Sequence, residues 1–214
     1  MTISIDCVVP SRSRLGEGAI WDVDDARLWW VDIRAGLVHC YDPASGTNNS
    51  FEVGEQVGSI ARRVSGGLVM ATESGFYLFD PASGEKQCIA TPESHLEGNR
   101  FNDGTTDSHG RFWAGTMRDD GAPPERRGAF YRLDPNHSVS RRRTHVALGT
   151  VIDLLRESDI AVIVFAIAVT PDHIFLARLY AGQITTRMNP VHQCCQIHLL
   201  QRVGFCCEIG RAHV

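Results

Sequence analysis

Lysine is nearly absent from this chain: Lys86 is the only one among 21 Lys and Arg residues. Arginine codons are mostly GC-rich, so the bias points to a high-GC, bacterial coding sequence. A long apolar run is missing too. The most apolar window, Ile160 to Val169, has about half the length that a bilayer span needs. The opening MTISIDCVVPSRSRLGEGAIWD lacks the charged stretch and apolar run of a signal peptide, so a cytoplasmic protein without membrane contact is expected. Neither charge is in large excess. A formal charge of −4 gives no basic balance for nucleic acid and no acidic tail for a cationic partner. The seven cysteines include no C-x-x-C spacing. Cys194–Cys195 and Cys206–Cys207 are adjacent pairs, which disfavours a zinc or redox site even with His192 and His198 close by. Cys7, Cys40 and Cys88 lie singly in strand-like contexts and read as buried, reduced thiols.

What is present is a repeat. Residues 18–46 read GAIWDVDDARLWWVDIRAGLVHCYDPASG, residues 66–84 read GGLVMATESGFYLFDPASG, and residues 110–136 read GRFWAGTMRDDGAPPERRGAFYRLDPN. Each holds a short apolar strand, a turn rich in Gly, Asp or Ser, a second strand with an aromatic, and then Asp-Pro. The DPASG turns begin at Asp42 and Asp80, and a related DPN turn begins at Asp134. Runs such as RLWWVDI, GFYLF and RFWAGTM are short, rich in aromatics and Val, and bounded by turn residues. No amphipathic helix of ordinary length separates them. Antiparallel strands recurring about every forty residues are the signature of propeller blades. After Asn136 the texture changes. HSVSRRRTHVALGT can begin an outer strand, residues 151–169 read first as a helix and then as one buried strand, and no further aromatic–DP turn follows.

Three spots in the repeat region make poor core. Glu17 sits between Gly16 and Gly18, just ahead of an apolar strand. It is either a solvated turn glutamate or a ligand for a hard cation such as Ca, Mg or Mn, with Zn also accessible to carboxylates. In Gly98–Gly104, GNRFNDG, Asn-Asp-Gly alone is a turn signal. Arg100 and Asn102, however, alternate, so an extended backbone sends both to one side, a forked cation beside an amide. Third, Asp119 and Asp120 follow the strand RFWAGTM at the mouth of a loop, where two solvated acids would be unremarkable.

The series RLGEGAIWD, RFNDG, GRFWAGTM with two acids after it, and GAFYRLDP resembles the regucalcin–gluconolactonase family, also called the senescence-marker-protein, gluconolactonase and luciferin-regenerating-enzyme-like group. The resemblance runs from about Leu15 to Asn136, with the motifs in the family's order. It implies an all-β fold, a six-bladed β-propeller of which about three blades are present. It also implies one divalent metal ion (Ca, Zn, Mg or Mn) at the channel mouth and hydrolysis of a small sugar lactone. Carried over by motif, Glu17 is the metal-ligand glutamate, and Arg100, Asn102 and Asp120 bind substrate. Asp120 stands where the family often has a longer glutamate.

The family's other ligands, an asparagine in S-N-G and a later aspartate that doubles as general base, have no counterpart here. The nearest echo is Ala168 to Asp172, and no aspartate follows Asp172. No catalytic residue is therefore assigned, and a chain without turnover is expected. The alternative is a calcium-binding or scaffold propeller without hydrolysis. Residues 1–136 are read as the N-terminal half of a lactonase-type propeller. Residues 137–214 are an unassigned tail, frame-shifted or chimeric, whose final EIGRAHV has the reading of an adapter-like nucleotide stretch.

Overall fold

The computed structural model describes residues 7–120, 128–146, 165–169, 174–178 and 212–214. Twelve strands form three four-stranded antiparallel sheets, each a simple meander. The first blade is β1 (Gly16–Asp22), β2 (Arg27–Asp32), β3 (Leu37–Asp42) and β4 (Thr47–Glu52). The second is β5 (Val57–Arg62), β6 (Leu68–Thr72), β7 (Phe76–Phe79) and β8 (Lys86–Ala90). The third is β9 (Asn99–Thr106), β10 (Phe112–Arg118), β11 (Gly128–Leu133) and β12 (Val139–Val146). A further hairpin, β13 (Phe165–Val169) and β14 (Ile174–Arg178), lies alongside β1. The family echo Ala168–Asp172 starts in β13. The helix expected ahead of it lies outside the described residues, as do the paired cysteines of the tail.

The repeated Asp-Pro turns join the third and fourth strands of each blade. In blade 1 the Asp42 carboxylate accepts the Ala44 N–H at 2.8 Å while Gly46 N–H closes on the Asp42 carbonyl at 2.8 Å. Asp80 repeats both bonds with Ala82 and Gly84. These donors hold both exposed carboxyls below their ordinary range: the Ala44 N–H acts foremost on Asp42, the Ser83 hydroxyl on Asp80. A carboxylate that closes its own turn explains why aspartate recurs at this point of the repeat. The third copy ends in Asn136 and His137, and its chain runs on into β12, which carries the sheet to Val146, past Asn136. That strand, VSRRRTHV, is arginine-rich and lacks an aromatic, so the apolar rhythm that reveals its neighbours does not reach it.

The core lies between successive blades. Trp29, Val31, Val38, Val57, Ile60, Leu68 and Met70 fill the space between blades 1 and 2. Ala61, Val69, Phe76, Phe101, Phe112, Tyr131 and Leu133 fill that between blades 2 and 3, joined by Ala212 and Val214. Phe101 packs at 4.6 Å between ring centroids from Phe76 and 5.7 Å from Tyr131. The outer strands β4 and β8 are mostly exposed, and β4, TNNSFE, is mostly polar, a kind of edge that discourages pairing with other chains. One expectation is corrected here. Only Cys40 is buried, whereas Cys88 sits on the exposed strand β8 and Cys7 on the exposed segment ahead of β1. Ile89 and Ala90 give Cys88 an apolar sequence context, but the outermost strand of a blade packs against little.

Candidate active site

The innermost strands β1, β5 and β9 lie side by side, and each bulges against its neighbour. In β1 the pairing slips between Glu17 and Ile20, and in β5 it slips at Gly58, between Val57 and Ser59. In β9 Asn102 and Asp103 together oppose the single Gly115 of β10. A bulge inserts an unpaired residue and re-aims side chains. The close approach of β9 to β5 depends on Gly58, where a Cβ would lie 2.3 Å from the Asn102 carbonyl oxygen and 2.4 Å from that of Phe101.

Glu17 is placed by the residues around it. The buried Asp32 carboxylate accepts N–H groups from Arg14 at 2.8 Å, Leu15 at 3.0 Å and Ala35 at 3.3 Å, and Ile33 N–H bonds Leu15 carbonyl at 2.9 Å. This clamps the chain just before Glu17. Gly18 follows at φ +60°, a conformation that favours glycine. The Glu17 carboxyl is pushed above its ordinary 4.5, chiefly by burial, then by repulsion from Asp103, with Arg100 pulling the other way. A solvated turn glutamate would show none of this.

Arg100 and Asn102 do share a side. Phe101 turns into the core between them, and Arg100 Nη1 donates to Asn102 Oδ1 at 2.9 Å and to the Phe101 carbonyl at 3.0 Å. Arg100 is buried, and its Nε donates to Asp119 Oδ2 at 2.7 Å. A buried guanidinium needs a carboxylate partner, and Asp119, whose N–H is held by the Gly98 carbonyl at 2.6 Å, supplies it. Asp120 goes elsewhere. It lies over Gly98 and takes a two-pronged contact from Arg118, Nε at 2.6 Å and Nη2 at 2.8 Å. The structure thus brings Glu17, Arg100 and Asn102 together with Asp103 and Asp119, and directs Asp120 to Arg118.

Next to this cluster is a residue that no motif singles out. Glu93, buried on the connection between β8 and β9, accepts hydrogen bonds from Thr116 Oγ1 at 3.0 Å, Tyr131 Oη at 3.0 Å and Asn99 Nδ2 at 2.9 Å. Burial and the Glu93 charge push the Tyr131 phenol well above its ordinary range. The network fixes Asn99, next to Arg100, against β10 and β11.

A three-bladed arc of meander sheets with a carboxylate and a guanidinium–amide pair at its inner strands defines a class of propeller with a polar central site. The family model for the SMP-30/Gluconolactonase/LRE-like region matches residues 15–159, and the chain belongs to that family. It is 37% identical over 153 residues to 6-deoxy-6-sulfogluconolactonase of Pseudomonas putida, covering 71% of this chain and 50% of the relative. It is 31% identical over 191 residues to human regucalcin, covering 88% and 64%. Among solved structures, regucalcin of Agrobacterium tumefaciens, described as a calcium-binding protein, superposes with a TM-score of 0.60 at 27% identity. That match covers 66% of this chain and 47% of the other. The chain spans about half the length of the first curated relatives it matches. The family match also runs past Asn136, as β12 does.

Proposed function

We propose that the three blades carry the substrate-facing part of a divalent-metal-dependent sugar-lactonase site. The observation behind this reading is the half-shielded Glu17 carboxyl, opposed by Asp103, beside the Arg100–Asn102 pair. A carboxyl whose proton affinity is raised by burial and by a neighbouring carboxylate sits in an environment that a cation relieves, and carboxylate oxygens suit Ca, Mg or Mn and can serve Zn. The residues fit such an ion in kind. In number they do not close a shell, since no group of three or more His, Cys, Asp or Glu converges among the described residues.

Glu17 would hold the ion from blade 1, with Asp103 next to it. When bound, a divalent ion polarises a lactone carbonyl or acidifies a coordinated water. Arg100 donates to the ring or carbonyl oxygen, and Asn102 fixes both the guanidinium and the sugar hydroxyls through its amide. Asp120 remains a substrate contact in this reading, one that must exchange its hold on Arg118 for a sugar hydroxyl. No general base is assigned, so the 214-residue chain is expected to bind without turning over.

The second reading, a calcium-binding or scaffold propeller, is favoured by the missing base and by the calcium-binding neighbour. Proton release from gluconolactone, followed with and without added Ca, Mg, Mn or Zn, separates the two together with equilibrium binding of gluconate. Gluconate binding that is lost in Glu17→Ala and Arg100→Ala supports the lactonase site, whereas cation binding without any sugar binding supports the scaffold. Past residue 159, where the family match ends, the same proposal treats the chain as leaving propeller sequence through a frame shift or chimeric join. Resequencing the locus tests this, and an uninterrupted frame ending in EIGRAHV would contradict it.

A further inference from the structure

Arg34 stands on the turn between β2 and β3, at the same end of blade 1 as Glu17, because Glu17 pairs with Val31 just before that turn. Its guanidinium reaches from blade 1 to blade 3. Nη2 donates to Asp119 Oδ1 at 2.8 Å, and Nη1 lies 2.8 Å from Asp119 Oδ2 and 3.3 Å from Gln56 Oε1. Asp119 also accepts from Arg100, so one carboxylate serves two guanidiniums.

Burial decides which has the stronger claim. The Arg100 side chain is 4% exposed and must keep its counter-charge, whereas Arg34 is 45% exposed. Of the two guanidiniums on Asp119, whose side chain is 14% exposed, Arg34 has the water-facing side and is the one that exchanges more readily. Arg34 and Arg100 together carry one more positive charge than Asp119 neutralises, and Arg34, the exposed one, can release Asp119 and turn its planar fork to two oxygens of a tetrahedral oxyanion. Other charges set the direction in which a ligand lies. Glu17 and Asp103 lie within electrostatic range of one another near Arg100, so a second anionic group is better placed away from them. Glu73 is occupied by the Gln56 amide at 3.4 Å. A sugar acid or lactone with its carbonyl end at Arg100 and Asn102 would reach Arg34 with its far end, across the width of Asp119.

We propose that Arg34 is a specificity-determining residue that takes a sulfonate or phosphate carried at the end of the sugar remote from its carboxyl or lactone carbonyl. This rests on the reading of Glu17, Arg100 and Asn102 as a sugar-lactone site. Three probes test it by calorimetry on the full chain: D-gluconate, 6-phospho-D-gluconate and 6-deoxy-6-sulfo-D-gluconate. At least one charged probe binds about tenfold tighter than gluconate, as expected of charge-assisted bonds to one guanidinium; the tighter of the two names the oxyanion. Arg34→Gln abolishes the preference for a charged probe over gluconate, and Arg34→Lys retains part of it. Arg27→Gln removes an equal charge from the opposite end of β2 and keeps the preference. Gluconate binding with no preference for either charged probe, or an equal loss in Arg27→Gln, would overturn the assignment alone. Binding of none of the three would overturn the lactone site and this inference together.

Discussion

Blade 2 and its two neighbours share one backbone device and use it differently. All three inner strands bulge near their starts. In blade 1 the bulge follows Glu17, and in blade 3 it contains Asn102 and Asp103. In blade 2 it contains Gly58, whose missing side chain lets the Phe101 and Asn102 carbonyls come close. The bulge therefore belongs to the fold, and function enters only where the bulged residues carry polar groups. Blade 2 serves the site by yielding space.

The largest effect is expected from removing that space. Gly58→Val places a side chain against two backbone carbonyls that cannot turn away, and should cost about 3 kcal/mol or more. Gly18→Ala, in the blade 1 bulge, meets Val31 at 3.6 Å and the Gly58 carbonyl oxygen at 3.8 Å, both ordinary contacts, and should cost about 1–2 kcal/mol through its left-handed backbone. Urea titrations followed by tryptophan fluorescence would rank the two, and an equal cost would break the distinction between the blades. Next comes Glu93→Ala, which removes the shared acceptor of three buried side chains on blade 3 at about 3 kcal/mol. The same change should loosen Asn99 and Arg100, visible as faster amide exchange in β9 but not in β1.

A smaller effect separates Glu17 from a structural acid. Because the fold raises its pKa, the stability it contributes is fully present below the ordinary 4.5 and is lost as pH rises through the raised value. Glu17→Gln should therefore be more stable than the parent at neutral pH and no more stable at about pH 4. Asp107 behaves oppositely. Burial works against its ionisation, yet hydrogen bonds from Trp113 Nε1 and from Arg111 outweigh it and hold its pKa below the ordinary value. Its contribution is lost as pH falls.

These contrasts also show what a sequence discloses. The blades were legible because each alternates core and turn residues at short range, and RFND was legible because strand alternation sets Arg100 and Asn102 apart from Phe101. Glu17 could be read as a ligand only through the family resemblance, since its raised proton affinity arises chiefly from burial and then from Asp103 of blade 3. Asp119, Arg34 and Glu93 were not legible as parts of the site. Each acts on a residue from another strand or blade, and nothing in the local pattern tells Asp119 from Asp120. The arginine-rich β12 escaped for a different reason: an outermost strand has little core to face, so it shows no apolar period.

The central claim is that Glu17 in blade 1 and the Arg100–Asn102 pair in blade 3 form one site. Side-chain resonances of Arg100 Nε and Asn102 Nδ2, followed by NMR during a calcium titration of the parent and of Glu17→Gln, test it most directly. The account predicts calcium-dependent shifts of both resonances in the parent and none in the variant. Shifts that persist in Glu17→Gln, or that appear in neither protein, would contradict it.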